Sequence, residues 1–75
     1  MYRITESTGG LLVYSPMHFA KYSNAIEALT IIGNQLVEEG YEQIYPNTVH
    51  PDRITYYFLH HDRYHPRIVT LETIS

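Results

Sequence analysis

The residues with the plainest capacity for chemistry lie toward the C-terminal end: His60, His61 and His65 with Asp62 among them, and His50 further upstream. Imidazole nitrogens are good ligands for zinc and other transition metals, and a carboxylate could complete such a set. The spacing His61-x-x-x-His65 aligns two rings only on a helix, and Pro66 with strand-forming flanks speaks against a helix there. If a strand runs through His60 and His61, their side chains point to opposite faces and cannot share one ion. We read the segment as a solvated polar hairpin, with no metal and no cofactor expected.

The same turns carry Arg53, Arg63, Tyr64 and Arg67. His60 or His65 as a base beside Tyr57, Tyr64, Arg63 or Arg67 would suit RNA cleavage in the manner of small toxin ribonucleases, or RNA binding. Such work needs a cationic surface. The chain has Lys21, Arg3, Arg53, Arg63 and Arg67 against 8 acidic residues, a formal charge of -3. That balance argues against nucleic acid as a partner, because affinity for it rests on cations that meet phosphate. The RNA reading depends on whether Arg53, Arg63 and Arg67 converge beside an imidazole. Tyr56 and Phe58 share a strand face at a spacing that resembles base-stacking aromatics, but the most apolar strand of a small domain is needed for its core. No Ser/His/Asp order with supporting context, phosphate-cradling loop or carboxylate pair stands out, so no catalytic residue is assigned and an enzyme is not the favoured reading.

These residues must be positioned by a few short elements. Tyr2 to Glu6 alternates, with Tyr2, Ile4 and Glu6 on one face, and enters a turn at Gly9-Gly10. Leu11 to Tyr14 is its expected antiparallel return, closed by Ser15-Pro16. Met17 to Lys21 is ambiguous. A helix follows, with Ser23 or Asn24 as its cap, Glu27 completing a capping box after Asn24, and Gly40 as its stop. Ala25, Ile26, Leu29, Ile32, Gly33, Leu36 and Val37 form its apolar stripe, which must lie on a sheet. Tyr41 to Tyr45 is a short strand interrupted at Pro46-Asn47. Ile54 to His60 and Arg67 to Ile74 are the last two strands. The fold expected is α+β: one α-helix on one face of a small antiparallel sheet, order β-β-α-β-β-β, in a single compact domain spanning residues 1–75.

One feature of the helix is left over. Ile31 projects opposite the apolar stripe, among Glu27, Asn34, Gln35 and Glu38. An apolar anchor in an acidic rim suits a protein partner. With 75 residues, 8 tyrosines, no Trp and no Cys, the chain has a thin core, no disulfide and many amphipathic rings suited to wet interfaces. The expected function is a non-enzymatic protein-binding module, such as a phage or mobile-element inhibitor or adaptor that covers a host protein's surface. The alternatives are the RNA-directed enzyme or binder and a homo-oligomerising subunit that pairs through an edge strand. No membrane partner is expected, and the cytoplasm is the expected location.

Overall fold

The computed structural model describes residues 1–74, and for residues 45–49 the backbone alone. Its elements are β1 (Tyr2–Thr8), β2 (Leu11–Leu12), β3 (Met17–Phe19), α1 (Tyr22–Glu38), β4 (Glu42–His50), β5 (Arg53–Leu59) and β6 (Arg67–Thr73). One helix packs on one face of an antiparallel sheet ordered β2-β1-β6-β5-β4, and the expected fold class and element order hold. The ambiguous stretch after Pro16 supplies the small extra strand β3, which pairs with β1 on the same side as β2.

Local chemistry accounts for the turns. Gly9 and Gly10 both take positive φ, +59° and +83°, and join β1 to β2 as a two-residue hairpin loop. The return strand is shorter than expected: pairing stops at Leu12, and Val13 keeps only a backbone bond to the Glu6 carbonyl. At the helix end Gly40 has φ +96°, the Gly40 amide donates to the Val37 carbonyl and the Tyr41 amide to the Leu36 carbonyl. This is a Schellman stop, with Tyr41 and Leu36 both buried beside it. The helix start differs from expectation, because the cap residue is Lys21, which makes no side-chain cap hydrogen bond, and Ser23 and Asn24 lie inside the helix. Strand β4 runs through the expected interruption with a register shift between Ile44 and Thr48; the side chains of Pro46 and Asn47 lie outside the described residues.

The registers assign the two sheet faces. Ile4 stands opposite Leu71, Glu6 opposite Val69, and Val69 opposite Tyr56, so these residues share the helix side with Phe58. The core forms there from Ile4, Phe58, Val69 and Leu71 beneath Ala25, Leu29, Ile32, Leu36 and Tyr41. Val37, expected on the buried stripe, is 56% exposed, because the helix sits over the β1 side of the sheet and turns its Val37 edge outward. The opposite face has no helix. It presents Thr5, Thr70 and Thr55 in one row and Ser7, Ile68, Tyr57 and Ile44 in the next.

Candidate functional site

Once the buried stripe of α1 is committed to the sheet, its other side must face solvent. Glu27, Ile31, Asn34, Gln35 and Glu38 are all exposed there. Their three- and four-residue spacings place Ile31 next to Glu27 on one side and Asn34 and Gln35 on the other, with Glu38 one turn further. Ile31 is 51% exposed, too much for a core residue. Among the described residues, no ion pair involves Glu27, Glu38 or Glu39. The last helical turn contains no basic residue, so Glu38 adds to the negative end of the helix dipole. The stripe is an apolar side chain set in uncompensated negative charge.

The histidine-rich turn is organised differently from its expected form. Strand β5 ends at Leu59, so strand alternation no longer governs His60 and His61, and their rings stack at 4.8 Å with 11° between planes. The condition under which they would point apart, a strand running through both, is not met. His60, His61 and Asp62 bring possible ligand atoms within 4.8 Å of one another. Both nitrogens of His60 are already engaged: Nδ1 accepts from the Asp62 amide at 3.0 Å, and Nε2 lies 3.2 Å from the Glu39 carbonyl. These partners fix the tautomer with the proton on Nε2, which donates to a carbonyl left open at the helix end. An ion in the plane of one ring also lies off the plane of its stacked neighbour. The cluster as folded is a helix clamp, and a metal would have to dismantle it.

The arginines do not converge. Arg67 stands opposite Phe58 on the helix side of the sheet, whereas Arg53 opens β5, opposite Glu72 on the other face. Five residues of strand separate their levels, roughly 17 Å at about 3.3 Å per residue. Arg63 lies in the turn, where its amide bonds the His60 carbonyl. His65 covers Gly9, and Tyr64 packs edge-on against His65 while itself standing in solvent.

Arg67 belongs to a network that the sequence did not reveal. Its Nη1 donates to Glu6 Oε2 at 2.6 Å, and its Nη2 donates to the Tyr41 hydroxyl at 3.2 Å. The Tyr14 hydroxyl donates to the other Glu6 oxygen at 2.7 Å, and the guanidinium lies 5.3 Å from the centre of the Tyr41 ring. Glu6 is only 4% exposed. Burial first, then the hydrogen bond to Glu6, push the Tyr14 hydroxyl well above the usual phenol range. Burial works against the Arg67 charge, but the Glu6 hydrogen bond and the pull of Tyr41 and Glu6 outweigh it and raise its pKa. With both terminal nitrogens engaged, Arg67 is a poor candidate for binding phosphate. Among the candidate residues, those of the helix stripe, Arg53 and residues 61–65 of the last turn are exposed to other molecules.

No protein family, no curated protein and no solved structure matches this chain. Among the described residues, no helix is long and apolar enough to cross a membrane.

Proposed function

We propose that the protein is a non-enzymatic binding module that docks the exposed side of α1 onto a basic surface of another protein. The observation that carries this reading is Ile31, exposed among Glu27, Asn34, Gln35 and Glu38, with no cation among the described residues to neutralise the glutamates. An apolar anchor supplies area to bury, while the carboxylates steer a basic partner and reject acidic ones. Binding of this kind needs no chemical step: the partner's surface is covered and its other ligands are excluded. An inhibitor or adaptor role in the cytoplasm, of the kind phage and mobile-element proteins perform on host machinery, is the finer form of the same proposal.

The test is site-specific photo-cross-linking in an extract of the source cells, with the photoreactive group at position 31 or at position 65. The expected result is one protein adduct from position 31, insensitive to ribonuclease, and none from position 65. An adduct with RNA from position 65 instead would replace this reading with an RNA-directed one.

A further inference from the structure

Strand β2 closes the sheet beyond β1, and among the described residues no strand lies on its outer side. It opens a run of three apolar residues that face solvent: Leu11 is 74% exposed, Leu12 56% and Val13 41%. Edge strands are commonly guarded by charge, which makes pairing with another chain costly. Here no Asp, Glu, Lys or Arg occurs anywhere in residues 7–20.

The hairpin fixes which way this edge points. The Val13 amide donates to the Glu6 carbonyl, toward β1. Backbone groups of successive residues point to alternate edges, so the amide and carbonyl of Leu12 point outward. Leu12 stands opposite Ser7, on the open face, and Leu11 opposite Thr8, on the helix side. A second copy running antiparallel about a two-fold axis at Leu12 would exchange both backbone bonds of Leu12 with its counterpart. In that one register Leu12 meets Leu12 on the open face, and Leu11 meets Val13 twice on the helix side. All three exposed apolar residues then find apolar partners, and no like charges of the segment are brought together.

Other occupants fit less well. A lipid surface would cover the side chains but leave the outward amide and carbonyl of Leu12 in hydrocarbon without partners. A charged peptide finds no opposite charge in the segment. We propose that the β2 edge at Leu11–Val13 pairs with the same edge of a second copy, joining two sheets across a two-fold axis at Leu12. Three side chains from each copy bury less than the roughly 1,200 Å² of a standard interface, so the dimer is weak and reversible. It does not involve the Ile31 stripe, so each surface can fail without the other.

Sedimentation velocity of the full chain over a concentration series tests this, and the native chain should pass from monomer to dimer by about 1 mM. Leu12→Lys and Leu12→Glu each place two like charges directly opposite at the axis, and each alone should weaken dimerisation about tenfold or more. Their equimolar mixture should recover the dimer, because opposite charges then face each other. Val37→Lys, at a position equally exposed but on the helix, should leave dimerisation unchanged. Melting curves of the exposed-site variants should match the native chain. A native chain that stays monomeric throughout, dimerisation unaffected by both Leu12 variants, or a mixture that fails to recover would each overturn the proposal. A monomeric native chain that sediments with neutral phosphatidylcholine vesicles would overturn it in favour of a lipid surface.

Discussion

Glu6 is where the protein concentrates its polar interactions. A carboxylate this deeply buried persists only because Arg67 and Tyr14 occupy its oxygens, so removing any one member exposes the cost of the others. Glu6→Ala should leave the Arg67 charge enclosed without its partner and cost about 3–5 kcal/mol, a large part of the stability of so small a domain. Chemical denaturation measures it. Tyr14→Phe removes one hydrogen bond to a charged acceptor and should cost about 1.5–3 kcal/mol. Tyr14 also fixes a pH dependence. Its folded pKa lies above the ordinary value of 10.0, so its contribution is fully present below that pH and is lost as pH rises beyond it. Stability measured against pH should fall above about pH 10, and less steeply in Tyr14→Phe. Alternation in the sequence placed Glu6 with Ile4 on one strand face, and that proved to be the core face. Its partner Arg67 is 61 residues away, and nothing local predicts which strands become neighbours. His60 was legible as a polar residue at the end of the expected strand but not as a clamp, since the strand stops at Leu59 and the carbonyl it caps belongs to the end of a distant element.

At the level of elements, the helix gives the sharpest contrasts. Leu36 and Val37 are adjacent and both apolar, yet Leu36 is 2% exposed and Val37 faces outward. Leu36→Ala should therefore cost about 2–5 kcal/mol. Val37→Ala should stay within about 0.5 kcal/mol. Equal effects in thermal melts would contradict the position assigned to the helix on the sheet. Gly33 carries a helix-propensity penalty, and the nearest atom to a methyl group placed there is Phe58 Cζ at 3.7 Å, an ordinary contact. Gly33→Ala should thus stabilise the protein by up to about 1 kcal/mol. The period of the stripe, Gly40 as stop and Gly9-Gly10 as turn were legible because each depends on local backbone physics. The helix start was not: Ser23 and Asn24 are good caps in isolation, but the helix begins one residue ahead of them, at Tyr22, whose ring packs edge-on against Tyr2 at 5.3 Å. The outward turn of Val37 was hidden for a related reason, since a stripe shows that a helix is amphipathic but not how far it reaches across its sheet.

Across the whole molecule, two arginines are spent internally: Arg3 pairs with Glu72 and Arg67 with Glu6. What remains is Lys21, Arg53 and Arg63 against Glu27, Glu38, Glu39, Glu42, Asp52 and Asp62, so the surplus charge gathers along α1 and the start of β4. The sequence carried the sign of that surplus and the helix stripe. It could not show that β4 would be the exposed edge, because strand order follows from long-range pairing. The central claim is that α1 docks a basic protein surface, and association kinetics with the cross-linked partner test it most directly. The rate should fall with added salt for the native chain, and Glu27→Lys with Glu38→Lys should lower it and remove the salt dependence. Arg63→Ala with His65→Ala should change little, each variant being confirmed as folded. Binding that survives both glutamate reversals and is lost with Arg63 and His65 would contradict the account and place the site in the last turn.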